Sequence, residues 1–352
     1  MIVNARVALP SFALVSGRAY ASGVEPDVRA PKAWLRAMLA VSILALALVP
    51  RLVVAQAYPD RLIRLVVGVP AGSGADLSGR ILAAGLETEL GQRVIVDNRP
   101  GADGIIAVRQ VTMAPADGYT LLYGLGSQVA INPATYATLP YDPKRDLVPV
   151  SLVSRQPLIV AVHPALPVTT LKELVDHTRA LPGTVNYGAG TSTFMLATEA
   201  FKQRTGADMQ HIPFNGNGAA IAALIAGTVQ VSVAAATGVL PHAQSGAIRA
   251  LAVSGSARLP QLPDVPSFRE AGLEDEVPVW IGVFAPAGTP SGIVDRLHAS
   301  IVRALDVSAV RDRLLASGDV LVASTPEALA ATMARDTARM EALVKRIGLA
   351  PR

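Results

Sequence analysis

The chain has 352 residues, with 31 Lys or Arg against 27 Asp or Glu and no cysteine. Without cysteine there are no disulfides, thiolate nucleophiles or Cys-based metal sites, so the fold rests on its core alone. Residues 1–57 hold six of the basic residues and two of the acidic ones, leaving 25 of each beyond them and a formal net charge of zero. The basic balance of the whole chain is therefore no argument for nucleic acid or an anionic membrane as partner.

The first 57 residues read as an export leader. Arg29, Lys32 and Arg36 form a basic start, residues 37–49 are apolar apart from Ser42, and Pro50 breaks the run. Ala55-Gln56-Ala57 supplies a small-x-small cleavage pattern before Tyr58. The apolar run is far shorter than the roughly 20 residues a spanning helix needs, which weighs against a membrane anchor. Residues 1–28 are long for a leader, and Val24 is an alternative start.

Beyond Tyr58, strand and helix patterns alternate, which argues an α/β fold with parallel sheets. Strands are expected at 63–69, 94–96, 120–123, 148–153, 158–162, 184–187, 209–212, 229–233, 248–253 and 279–284. Helices are expected at 77–90, from the Thr170-Leu171-Lys172-Glu173 capping box to Pro182-Gly183, at 195–205 and 219–226, from Pro290 to about 305, and from Pro326 to about 346. Two extended stretches, 148–162 and 278–286, are long enough to leave one sheet and enter another. Two such crossings make a hinged, two-lobed body: lobe one from 58–155 plus 280–352, lobe two from 156–279, with the site in the gap between them. One large sheet with two long strands is the competing reading.

The loop Pro70-Ala71-Gly72-Ser73-Gly74-Ala75-Asp76 joins a strand to a helix. A glycine-lined helix N-terminus offers unpaired N–H groups and a positive dipole end, which suit a carboxylate. Leu77 stands where a dinucleotide fingerprint needs its third glycine, and no Lys-Ser/Thr pair follows, so nucleotide binding is not indicated. Asp76 reads as an N-cap and as a helix partner for Arg80 four residues on. Gly188-Ala189-Gly190-Thr191-Ser192-Thr193 is a second such junction, with three hydroxyls. Each charge-assisted bond is worth ~1.5–3 kcal/mol. About four of them, less the cost of ordering, reach the ~8 kcal/mol of a micromolar binder. Plain turns and helix capping are the competing explanations for both loops. The stretch from Pro213 through Phe214, Asn215 and Gly216 to Gly218, and the strand end at 124–128 with Ser127, are glycine- and amide-rich in the same way.

A hydrolase is not supported, because there is no Gly-x-Ser-x-Gly elbow. The histidines (His163, His177, His211, His242 and His298) show no metal-ligand spacing. Only His211, at a strand end near the second-lobe loop, is kept as a site candidate. No catalytic constellation and no cofactor is expected. A periplasmic α/β enzyme acting on a carboxylated substrate remains the alternative to a binding protein.

The mature chain resembles the Bug family, the periplasmic substrate-binding proteins of tripartite tricarboxylate transporters. The resemblance rests on Asp97-Asn98-Arg99-Pro100-Gly101-Ala102, Pro115-Ala116-Asp117-Gly118-Tyr119-Thr120, Leu139-Pro140-Tyr141-Asp142-Pro143, Arg249-Ala250-Leu251-Ala252-Val253, Leu262-Pro263-Asp264-Val265-Pro266 and Ala285-Pro286-Ala287-Gly288-Thr289-Pro290, among others, in order over essentially the whole mature chain. It implies a Venus-flytrap fold and a ligand carboxylate held largely by backbone amides, hydroxyls and bridging water. By position, one clamp would be Gly72, Ser73, Gly74, Ala75 and Asp76. The other would be Gly190, Thr191, Ser192 and Thr193, with the Phe214-Asn215-Gly216 loop contributing. It also implies a monomer that serves a membrane permease or a sensor protein.

Some positions depart from the family pattern. Ser73 replaces a glycine, Ala75 a threonine, and Phe214-Asn215-Gly216 a Tyr-Lys-Gly. Met195-Leu196 occupies the place where the family often has a histidine. Ala234 stands where the family usually has an acidic residue, which would remove a partner for a ligand ammonium or an ordered water. The expected ligand is therefore a small carboxylate without an amino group, and a comparatively apolar one.

Overall fold

The computed structural model describes residues 58–273, 277 and 279–350, with Gly23 and Met38. The leader reading of residues 1–57 and the expected start of the second crossing at Pro278 lie outside the described residues. All that follows concerns the compact unit Gln56–Arg352.

The described strands are β1 (Ile63–Val67), β2 (Val94–Asn98), β3 (Thr120–Leu125), β4 (Leu147–Arg155), β5 (Leu158–Val162), β6 (Asn186–Ala189), β7 (Gln210–Pro213), β8 (Val231–Ala235), β9 (Arg249–Val253), β10 (Trp280–Pro286) and β11 (Val320–Leu321). The helices are α1 (Gly74–Leu90), α2 (Ile105–Thr112), α3 (Asn132–Thr135), α4 (Pro143–Asp146), α5 (Leu171–Ala180), α6 (Ser192–Thr205), α7 (Asn217–Ile225), α8 (Ala236–Gln244), α9 (Ser291–Asp306), α10 (Ser308–Ala316) and α11 (Pro326–Arg346). A wide helical turn, Ser127–Ile131, leads into α3.

The strands form two sheets, in the orders β11-β4-β10-β3-β1-β2 and β7-β6-β8-β5-β9. Each sheet is covered on both faces, and the two-residue period of the strands sorts their side chains. Leu65 and Val67 of β1 pack with Leu82 and Leu86 of α1 and with Leu297 and Ile301 of α9. Val66 faces the other way, with Val108 of α2 and Leu329 of α11. In the second sheet Leu158, Val160 and Val162 pack with Leu174 of α5 and Leu196 of α6. Ile159 and Ala161 pack with Leu224 of α7 and Val239 of α8.

The expectation of parallel sheets is corrected to mixed sheets. β1 pairs in parallel with β2 and β3, and β6 with β7 and β8. β10 runs against both β3 and β4, and β5 against both β8 and β9. These are the strands that enter each sheet from the other. Parallel neighbours in one sheet are joined by a crossover, usually a helix, on the sheet's face. A strand arriving from a different lobe has no such connection and can lie antiparallel. The two crossings touch where Gln156 N donates to Val279 O at 2.8 Å.

The C-terminal helix is shared. Leu329 and Met333 belong to the first sheet's core, whereas Met340, Leu343 and Val344 belong to the second's. Helices α1, α6 and α7 begin two or three residues earlier than the sequence suggests, because Gly74-Ala75, Ser192-Thr193 and Asn217-Gly218 already adopt the helical turn. Helices α2, α8 and α10 were not expected; α8 carries Pro241 in its interior.

Candidate ligand-binding cleft

The first glycine loop ends in a capped helix. Ser73 is the N-cap of α1, its Oγ accepting from Asp76 N at 3.4 Å, and Gly72 takes the left-handed conformation at φ 82°. Asp76 is not the N-cap expected of it. It is 1% exposed, and its carboxylate accepts from Gly72 N (2.8 Å), Arg80 Nε (3.0 Å) and Asn98 Nδ2 (2.9 Å). Burial pushes this carboxyl up, but the bonds from Arg80, Gly72 and Asn98 outweigh it and hold the carboxyl below its ordinary range. Asp76 thus ties the loop down from inside and uses the charge of Arg80.

Ser127 is half-buried at the end of β3, and the side chain behind it is Gln128. Gln128 is 1% exposed, with Oε1 accepting from Leu125 N at 3.1 Å. A Cβ on Gly68 or on Gly104 would fall 2.2 or 2.1 Å from its Nε2, so both glycines make room for this amide.

On the second lobe Gly190, Thr191, Ser192 and Thr193 lead into α6. The carbonyl of Gly190 accepts from Gly216 N at 3.1 Å. A Cβ on Gly190 would lie 2.1 Å from Gly216 C and O, so the loop before α6 rests directly on the loop before α7. Thr191 is extended at the N-cap without capping, and its Oγ1 is buried with no partner. Asn217 Oδ1, in the first turn of α7, is likewise buried and unpaired. Asn215 is exposed.

Two contacts join the lobes here. Ser192 Oγ donates to Asp103 Oδ2 at 2.6 Å. A Cβ on Gly74 would lie 2.5 Å from Thr237 Oγ1, in the first turn of α8. A Cβ on Gly238 of α8 would lie 3.2 Å from Asn217 Nδ2 of α7, so the helix starts of α1, α6, α7 and α8 gather around one interlobe region, and the stretches 70–76, 188–193, 213–217 and 234–237 contain no Lys or Arg. Preorganised N–H groups at helix starts, with adjacent hydroxyl and amide groups, can receive an anion without a cationic side chain.

One expected site residue stands elsewhere. Ala234 is fully buried in β8 opposite Ile159, packed with Ile221 and Val239. Its methyl faces the core because β8 continues one residue further. The Phe214 ring covers Gly188, where a Cβ would come within 3.1 Å of it. His211 stacks on the Tyr187 ring at 5.0 Å, and the Tyr187 hydroxyl donates to Glu199 at 2.7 Å, so the histidine belongs to that cluster. Asn217 lies in the amide-rich stretch 213–218 noted from sequence, whereas nothing in the sequence singles out Thr237 or Asp103. A polar residue beside a small one, as at Thr237 and Asp103, is common in turns. Among the described residues, no group of three or more His, Cys, Asp or Glu could hold a metal ion, and no helix is long and apolar enough to cross a membrane.

Two sheet-built lobes meeting through glycine-backed helix starts define a two-lobed solute-binding protein of the periplasmic type. Residues 79–349 match the family model described as the tripartite tricarboxylate transporter family receptor. Protein BugT of Bordetella pertussis is 36% identical over 298 residues, which cover 84% of this chain and 91% of that protein. A protein of R. palustris, solved with adipate, is 33% identical with a TM-score of 0.79, covering 84% of this chain and 100% of that one. MatC from Rhodopseudomonas palustris, solved with bound malate, is 31% identical with a TM-score of 0.75, covering 82% and 100%. The chain belongs to the tripartite tricarboxylate transporter receptor family, whose members are periplasmic solute-binding receptors.

Proposed function

We propose that this receptor captures a small carboxylate between its lobes and hands it on unchanged. The supporting observation is the cleft itself: four helix starts joined around one interlobe region, with a buried unpaired hydroxyl on Thr191 and no cationic residue in the four stretches. The adipate and malate of the two solved relatives fit the same chemistry. With Gly72 N held by Asp76 and Ser73 N by Pro70 O, a ligand carboxylate docks on the first N–H groups of α1, at Gly74 and Ala75, and the second lobe closes with Gly190 and Thr191. Closure bends the chain at the crossings near residues 155–157 and 279, with 58–155 plus most of 280–352 moving as one lobe and 156–279 as the other. The protein is exported by a leader cleaved before Tyr58 and acts as a monomer. Its closed form is read by a membrane permease or a sensor protein.

The test is calorimetry of the purified chain from Tyr58 onward with adipate, malate and other small mono-, di- and tricarboxylates, followed by mass spectrometry of the mixture. One-to-one binding with the acid recovered intact supports capture. Chemical conversion of the acid would establish the enzyme alternative instead.

A further inference from the structure

We infer that Asp103 is the closure residue of the first lobe: its carboxylate is held in the interlobe gap to receive the Ser192 hydroxyl, and this bond sets how long the lobes stay shut. The inference rests on the reading of the gap as a cleft that opens and closes.

The backbone supplies the first argument. Gly101, Ala102, Asp103 and Gly104 are four successive residues with positive φ, at 123°, 46°, 51° and 82°. Glycine adopts this region freely, and Asp tolerates it better than most residues, but two adjacent side-chain-bearing residues there are strained. Such strain persists only where the surroundings over-determine it. They do so here. Asn132 Nδ2 donates to Asp103 O at 3.2 Å, and the Gln128 amide fills the space a Cβ on Gly104 would need. The Tyr136 hydroxyl donates to Asp103 Oδ2 at 3.1 Å. These holders lie on the first-lobe segment 127–136. The outcome is a carboxylate pointing across the gap.

The second argument is what it meets. Ser192 opens α6, so its hydroxyl sits at the positive end of that helix, where a carboxylate is favoured. The 2.6 Å Ser192–Asp103 bond is in the short range of O–H···O⁻ bonds. Neighbouring hydroxyls therefore divide the work. Thr191 Oγ1, buried and unpaired, is left for the ligand, whereas Ser192 Oγ is committed to the other lobe.

Because the chain has no cysteine, a pair of spin labels can be placed uniquely. Arg109→Cys on α2 and Ala222→Cys on α7, both exposed, report the interlobe distance in the ligand-free protein by double electron–electron resonance. Asp103→Gly removes the carboxylate while suiting the positive φ, and Ser192→Ala removes the donor. Each is expected to shift the distribution to longer distances, with the double variant no further shifted and Asp103→Asn, which keeps an acceptor without the charge, shifted less than Asp103→Gly. In stopped-flow measurements with adipate or malate, the same variants should release ligand about tenfold faster, as expected for loss of one charge-assisted bond that holds the lobes shut. Thr191→Ala should weaken binding without moving the ligand-free distances. A purely structural role would lower the melting temperature and leave the distances unchanged. Unchanged distances in both Asp103→Gly and Ser192→Ala overturn the inference. If neither acid binds, the ligand-free distances still decide it, so failure of the latch and failure of the carboxylate reading are separable.

Discussion

The side-chain oxygen of Thr237 occupies the space that a methyl group on Gly74 would need: a Cβ built there lies 2.5 Å from Thr237 Oγ1 and 3.0 Å from its Cβ. The two residues belong to different lobes, Gly74 opening α1 and Thr237 lying in the first turn of α8. The missing side chain at position 74 is thus a condition for closure as well as for exposing the amides of the loop.

Gly74→Ala should therefore fold normally and close poorly. Overpacking of this kind costs about 1–3 kcal/mol, here charged to the closed state alone. Ligand affinity is expected to fall roughly five- to 150-fold by calorimetry, at the tenfold per 1.4 kcal/mol of a binding equilibrium. The melting temperature without ligand should barely move. Adding Thr237→Gly should restore affinity, and failure of that rescue would remove the steric explanation.

Gly190→Ala should behave differently. Its Cβ would strike the backbone of Gly216 at 2.1 Å and Asn217 N at 2.5 Å, and no side chain there can swing aside. The loss should be about 3 kcal/mol, toward the upper end for overpacking, and should appear in urea denaturation without ligand. Wild-type stability in that variant would show that the two loops separate easily.

Asp76→Asn tests the tie beneath the first loop. Asp76 is held below its ordinary value of 3.8, so the stability it contributes is present above about that pH and is lost as pH falls through the depressed value. The substitution should cost about 2–3 kcal/mol near neutrality, as for bonds to a charged group. The difference from wild type should shrink on acidification below the ordinary value. A constant difference across pH would rule out the carboxylate's charge as the source.

Asp319 should show the opposite sign. It is 2% exposed, with bonds from Ser154 Oγ (3.0 Å), Gln156 Nε2 (3.1 Å) and Ser317 Oγ (3.0 Å) beside the first crossing. Burial raises its pKa above 3.8 despite those bonds. A raised carboxyl favours the folded state most below the unfolded value, and that benefit is lost as pH rises through the folded one. Asp319→Asn should therefore gain melting temperature relative to wild type as pH is raised from about 4 to 7. Parallel curves for the two proteins would contradict the assignment.

Most elements were legible because their signals are local. The apolar, β-branched run of β1, the Thr170 cap of α5 and the Gly206 end of α6 each act within a few residues. The glycine loops were legible for the same reason. The sequence ends this strand at 233, whereas β8 runs two residues further and its alternation turns Ala234 into the core. Nothing local says that Gly188 lies under the Phe214 ring. Asp103 carried no usable cue: its strain and its partner Ser192, 89 positions away, exist only in the folded chain.

Composition and pattern alone settled that this is a cysteine-free α/β chain, with a neutral body, whose glycine loops open helices, since charge, periodicity and turn chemistry are properties of neighbouring residues. The fold decided that the crossing strands run against their sheets, that α11 serves both cores, and which polar groups face each other across the gap. Those outcomes depend on segments distant in sequence competing for the same space, and only the packed chain resolves that competition.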